Sequence, residues 1–189
     1  MATAFNASNI PVEAQEAVQP IVVERFELIP DSGGPGRYRG GCGIRRDMRI
    51  LGEKVKFTNL SERQKFPPFG LFGGEPGALG ATVINPGEAS ERVAEGKASL
   101  DLAYGDVVSF RLSGGGGYGD PVERDPEAVA RDVRLGMVSS EAARDRYAVV
   151  VAPEGGVDEE ATRNLRETRS SSAPVSSQDG GLDSGDDLG

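Results

Sequence analysis

The run Ser113-Gly114-Gly115-Gly116-Gly117-Tyr118-Gly119-Asp120-Pro121 limits what this chain can fold into more than any other stretch. Four consecutive glycines lose far more backbone entropy on folding than a simple turn requires, so some feature of the fold must need backbone without side chains. A second cluster, Asp31-Ser32-Gly33-Gly34-Pro35-Gly36-Arg37-Tyr38-Arg39-Gly40-Gly41, makes the same demand. Residues 67–77 form a third Gly/Pro segment. Prolines withhold donors and glycines release the chain, so this segment is expected to be an irregular loop, pinned to the core by Phe66, Phe69, Leu71 and Phe72. With 27 glycines in 189 residues, about twice the usual ~7% share, the chain reads as β-rich with many turns.

Between the loops, short alternating runs predict strands over residues 21–29, 43–51, 54–60, 81–85 and 107–112. The second and third are expected to form an antiparallel hairpin about Gly52-Glu53. Val12-Glu13-Ala14-Gln15-Glu16-Ala17-Val18, fenced by Pro11 and Pro20, has room for one or two helical turns. Helical grammar takes over only later. Asp125 is placed to cap a helix opening at Pro126, Val129 and Val133 share a face, and Gly136 stands where a left-handed terminator belongs. Ser139 or Ser140 caps a second helix running to Tyr147, and residues 148–151 are expected to close the domain as a strand. The fold class is therefore α+β, β-rich with long Gly/Pro loops and a short helical pair. The folded domain is expected over residues 1–151. Residues 152–189 are expected to be a disordered acidic tail rich in Ser, Gly and Asp, because from about 155 onward there is no apolar periodicity to offset ordering.

The net charge is −9, and the segment after Val151 holds nine acidic residues against three basic ones. The nearly balanced remainder argues against nucleic acid, whose phosphates demand a clustered excess of Lys and Arg, and equally against a membrane surface. One cysteine, Cys42, excludes an internal disulfide, and no stretch approaches the ~18–20 apolar residues of a membrane span. Met1-Ala2-Thr3-Ala4-Phe5-Asn6 lacks the basic region and apolar run of a signal peptide, so the cytoplasm is the expected location.

Gly114-Gly115-Gly116-Gly117-Tyr118-Gly119 satisfies the spacing of a dinucleotide loop, but the helix signal at Pro126 comes too late to present its amides to a pyrophosphate. Tight backbone packing is the leading use of Gly115, Gly116, Gly117 and Tyr118, ahead of close approach to a substrate or partner segment. Asp31 and Ser32 pair a carboxylate with a hydroxyl; a nucleophilic serine needs a base that is not apparent, and a side-chain-bonded turn is preferred. Arg37 and Arg39 alternate on an extended segment and are candidates to clamp a carboxylate or phosphoryl group, with ion pairing the commoner role. Cys42 has no histidine to activate it and reads as a small buried side chain.

Taken in order, Asn9-Ile10-Pro11-Val12-Glu13, the 31–41 cluster, Gly73-Gly74-Glu75-Pro76-Gly77 and the 114–121 loop resemble the carboxy-terminal part of the hydantoinase B/5-oxoprolinase family. Arg124-Asp125-Pro126-Glu127-Ala128-Val129, Asp132-Val133-Arg134-Leu135-Gly136 and Val138-Ser139-Ser140-Glu141-Ala142-Ala143-Arg144 extend the resemblance, which runs from about residue 6 to 151. That family includes N-methylhydantoinase B and acetone carboxylase-type subunits. The resemblance implies ATP-dependent opening of a cyclic amide such as 5-oxoproline or a hydantoin. It also implies a hydantoinase A-type partner that binds nucleotide and activates the amide. Asn9 and Glu13 would then help line a shared site, with capping or turn duty as the alternative. The family's longer amino-terminal region, with its expected metal-binding and acid–base residues, has no counterpart here, and this chain has no histidine. ATP and a divalent metal are therefore expected on the A-type partner or on the remaining B-type polypeptide, with neither bound by this chain. Activity is expected only in company. The rival expectations are a non-catalytic interaction subunit and a subunit of an ATP-dependent ketone carboxylase.

Overall fold

The computed structural model describes residues 10–172. In chain order it contains α1 (Val12–Val18), β1 (Ile21–Leu28), β2 (Ile44–Ile50), β3 (Lys54–Leu60), β4 (Ala81–Ile84), β5 (Arg92–Ala94), β6 (Lys97–Ala103), β7 (Val107–Arg111), a 3-10 turn (Pro121–Glu123), α2 (Pro126–Arg134), α3 (Ser140–Tyr147) and α4 (Glu159–Ser172). The strands form an antiparallel five-stranded sheet in the order β1-β2-β7-β4-β5 and a separate antiparallel ribbon, β3-β6. The class is mixed α and β, as expected.

The expected β2–β3 hairpin does not form. Both edges of β2 are occupied, by β1 on one side and β7 on the other, so β3 has no edge to join. It crosses to a second layer and pairs with β6, Val55 opposite Leu102 and Phe57 opposite Leu100. These apolar residues close over Ile21, Ile50, Ile84 and Val108 of the large sheet. Phe57 meets Phe110 edge-on at 5.8 Å. Strands β5 and β6 escaped the sequence reading because Arg92-Val93-Ala94 is too short for a period and Lys97–Ala103 carries small residues where larger apolar ones were sought.

The helical part builds a second core from Val129, Val138, Ala143, Tyr147 and Val149. Its capping follows the sequence: Asp125 accepts from the Glu127 amide at 3.1 Å, Ser139 from the Ala142 amide at 3.0 Å, and Gly136 turns at φ +68°.

Beyond α3 two expectations fail. Ala148 takes φ +51°, ending the helix, and the chain then doubles back instead of forming a strand, with only an isolated bridge between Val151 and Val157. Residues 159–172, expected to be disordered, form α4, so the folded unit extends past the expected boundary at 151. The helix is held by polar bonds rather than an apolar stripe, which is why periodicity missed it. Asp158 accepts from the Ala161 amide at 2.9 Å, the buried Thr162 hydroxyl accepts from the Val150 amide at 3.0 Å, and Arg166 donates to the Arg124 carbonyl at 2.9 Å. The Ser/Gly/Asp-rich run from 173 to 189 lies outside the described residues.

Candidate functional site

The three glycine-rich segments come together as a bundle of extended backbones. The Gly34 amide donates to the Gly115 carbonyl and the Gly115 amide to Gly41, both at 2.8 Å. The Gly117 amide donates to Glu75, the Glu75 amide to Pro35 and the Leu71 amide to Gly117, at 2.9, 2.7 and 2.9 Å. Tyr38 and Tyr118 exchange a pair of such bonds, each 2.9 Å. A side chain has nowhere to go. A Cβ on Gly114 would stand 1.7 Å from the Ser32 carbonyl oxygen, one on Gly116 1.9 Å from that of Phe69, and one on Gly117 1.9 Å from that of Pro35. None of these three has a positive φ, so close backbone approach is what requires glycine here.

This geometry bears on the phosphate-binding use of the loop. The amides of Gly114, Gly115, Gly117, Tyr118 and Gly119 all donate to carbonyls inside the bundle, which removes them as a phosphate cradle. The apolar residues expected to pin the 67–77 loop are instead all exposed: Phe66, Phe69, Leu71 and Phe72. Backbone hydrogen bonds fix this loop, so its side chains are free to face solvent.

Ser32 is buried, donating to the Ile29 carbonyl at 2.5 Å and accepting from the Gly43 amide at 2.7 Å. Both bonds are to backbone, so it ties the turn and has no path to act as a nucleophile. Asp31, exposed and at φ +57°, accepts from the Ser139 amide at 2.7 Å and so joins this turn to the start of α3. Arg37 and Arg39 diverge. Arg37 is exposed, 3.7 Å from Glu123 and stacked over Tyr38 at 5.8 Å. Arg39 turns inward to Asp132 at 2.9 Å, where Arg124 also pairs at 2.9 Å. Burial works against the Arg39 guanidinium, but the hydrogen bond and charge of Asp132 outweigh it and raise its pKa above the ordinary value. Cys42 is half-buried rather than buried, its sulfur accepting from Arg39 at 3.3 Å and facing the Met137 carbonyl at 3.7 Å.

Beside the bundle opens a cleft of about 650 Å³, walled by the 31–35 turn, residues 75–78 and α3. Its rim carries Asp31, Glu75, Glu141 and Asp145 against a single arginine, Arg146, which bridges to Glu75 at 2.7 Å. Val138, Ala142 and Tyr147 supply apolar wall. Of the residues singled out from the sequence, only Asp31 reaches this cleft. Gly115, Gly116 and Gly117 lie within the bundle and Tyr118 at its exposed tip; Glu13 is exposed on α1, which packs on β1; Asn9 lies outside the described residues.

Sequence reasoning missed the polar centre behind the cleft. Asp132 sits one helical turn from Val129 on the buried face of α2, and a carboxylate in an apolar stripe was the available signal. Tyr147, 2% exposed, has a hydroxyl without a hydrogen-bond partner. Burial pushes its pKa up to about 12, against the pull of Arg124 and Arg39. Among the described residues no three His, Cys, Asp or Glu side chains are grouped to hold a metal ion, so the residues present do not fit one. No described helix is long and apolar enough to cross a membrane.

The family model for hydantoinase B/oxoprolinase matches residues 1–121. The chain belongs to this family. It is 35% identical to the beta chain of the caprolactamase of Pseudomonas jessenii over 82% of this chain and 27% of that protein. It is 32% identical to the B component of a putative D-/L-hydantoinase from a Pseudomonas species, over 85% of this chain and 27% of that one. The crystal structure of the ATP-dependent caprolactamase from Pseudomonas jessenii superposes with a TM-score of 0.70 at 30% identity, covering 83% of this chain and 28% of that one. A nucleotide-free acetone carboxylase shares the fold at a TM-score of 0.73 and 23% identity, over 87% of this chain and 27% of its own. The chain thus spans little more than a quarter of the length of these relatives.

Proposed function

We propose that this chain is the scaffold segment of a hydantoinase B-type component in an ATP-dependent hydrolase of cyclic amides, working with further B-type polypeptide and an A-type partner. The observation that carries the reading is the combination of family membership with the state of the candidate residues. Ser32, Arg39 and the amides of Gly114, Gly115, Gly117, Tyr118 and Gly119 are bonded within the fold, which leaves them unsuited to attack, clamp or cradle. Opening an unactivated amide needs a phosphate site and acid–base groups, and these are assigned to the partner polypeptides together with ATP and any divalent metal. The chain contributes a rigid wall and the acidic cleft beside it.

The substrates that follow are 5-oxoproline, hydantoins or a larger lactam such as caprolactam. The test is ATP-dependent turnover of each, and of acetone, by the purified chain alone and by its complex with B-type and A-type polypeptides. Turnover of a cyclic amide by the complex and none by the chain is expected. Turnover by the chain alone would overturn the division of labour, and carboxylation of acetone would move the assembly to the ketone carboxylases. A complex inert toward all four would leave a non-catalytic interaction subunit.

A further inference from the structure

The large sheet and the ribbon laid on it are unequal. Cross-strand partners share a face, so the register places Leu28 beside Ile44 and Phe26 beside Arg46 on the same side as the core residues Ile21 and Ile50. Leu112 continues this row: it lies two residues beyond Phe110 on the same side, and its amide donates to the Ile44 carbonyl at 2.9 Å. At one end of the face the ribbon β3-β6 reduces Ile50, Ile84 and Val108 to 4%, 1% and 1% exposure. At the other end Phe26, Leu28 and Leu112 remain 50%, 46% and 49% exposed. A core-facing surface therefore continues beyond the layer meant to cover it.

Two further observations fall at this end. Arg46 stacks over Phe26 at 5.6 Å and one amine donates to Gln15, yet its Nε is buried without a partner. Strand β1 is also the long edge of the sheet, its eight residues paired only with β2 among the described residues. Isolated exposed apolar residues are ordinary, but a contiguous row over three adjacent strands next to an unsatisfied donor marks an interaction surface.

We infer that this uncovered end of the inner face seats the remaining B-type polypeptide, which completes the layer that the ribbon begins. The inference rests on the proposed function, because the occupant is the polypeptide that reading requires. The choice of occupant follows from size: in the hydantoinase and caprolactamase relatives the matched segment is 27% of one longer chain, whose remainder must pack against it. Its contacting element is expected to bring apolar side chains to Phe26, Leu28, Ile44 and Leu112.

The full chain, co-expressed with the hydantoinase B-type polypeptide of the same genome, provides the test. Affinity is measured for the wild type, for the double variant Phe26→Ser/Leu112→Ser, and for Phe72→Ser at the exposed tip of the glycine bundle, each checked by thermal melting. The double variant is expected to bind at least about tenfold more weakly while Phe72→Ser binds as the wild type does. Hydrogen exchange on the wild-type complex is expected to protect the amides of residues 24–28. That measurement decides the matter if the double variant does not fold. A folded double variant that binds normally, or protection confined to residues 69–72, overturns the inference and leaves the proposed function standing. Absence of any complex with the wild type overturns both. Self-association through this face, abolished by the double variant in the absence of B-type binding, assigns it to a second copy and overturns the inference as well.

Discussion

The glycine bundle and the β-sandwich solve the same problem with opposite means. In the sandwich, Ile84, Val108 and Leu102 bury side chains against one another, and stability comes from apolar area removed from water. In the bundle, backbone lies directly on backbone, with carbonyls of Ser32, Phe69 and Pro35 in the space where a Cβ would be. One region has volume that a neighbour can adjust; the other has none. Close packing in the bundle is thus a property of what is missing, and it explains how a chain with a modest apolar content holds three long irregular segments in one arrangement.

The sharpest way to break this contrast is one methyl group. Gly114→Ala or Gly116→Ala is expected to abolish folding or cost more than about 4 kcal/mol, because the clash is with backbone that cannot rotate away. Gly41→Ala, whose added Cβ would meet nothing within 4 Å beyond its chain neighbours, is expected to change stability by less than about 0.5 kcal/mol, with these variants compared by urea titration. A comparably small volume change in the sandwich, Ile84→Val, is expected to cost about 1 kcal/mol. Equal effects at Gly114 and Ile84 would erase the distinction.

The seam between the bundle and the helices is next. Asp132 receives both Arg39 and Arg124, so Asp132→Ala leaves two guanidinium groups mostly buried without their carboxylate and is expected to cost roughly 3 kcal/mol by thermal melting. A loss under about 1 kcal/mol would mean that the bundle and helices hold together without this junction. Arg166→Ala tests the polar attachment of α4 and is expected to cost roughly 1.5 kcal/mol, with faster proteolysis after Asp158. An unchanged cleavage pattern would return α4 to the status of a loosely held tail.

The smallest effect concerns Tyr147. Its hydroxyl has no partner, so Tyr147→Phe is expected to shift stability at neutral pH by no more than about 0.5 kcal/mol. Its folded pKa is raised to about 12 by burial, above the ordinary value near 10. The contribution is therefore present in full below about pH 10 and lost as pH climbs toward 12, a decline that the phenylalanine variant should lack. Parallel alkaline melting curves for the two proteins would rule out this role.

Much of the architecture was legible where local chemistry sets structure. The five strand runs between residues 21 and 112, the caps at Asp125 and Ser139, and the turn at Gly136 are decided by nearest neighbours, and they stand as read, unlike the run at 148–151. The pairing of β3 with β6 was hidden because it depends on which strand takes the free edge of β2, a competition settled by β7, which is distant in the sequence. For α4 the obstacle was of another kind: Thr162 and Arg166 bond to backbone groups left open by the end of α3, and no periodicity records that. The candidate site was the least legible. Glycine runs announce a tight approach but not to what, and only in three dimensions do Ser32 and Arg39 prove to be bonded to the bundle itself and to α2.

The backbone-on-backbone construction also bears on repair. A lesion in a side-chain core is open to rescue, since a shrunken residue is answered by an enlarged neighbour. Around Gly114 and Gly117 the neighbours are peptide oxygens, which no codon alters. A suppressor screen begun from an alanine there should return true revertants and almost nothing else.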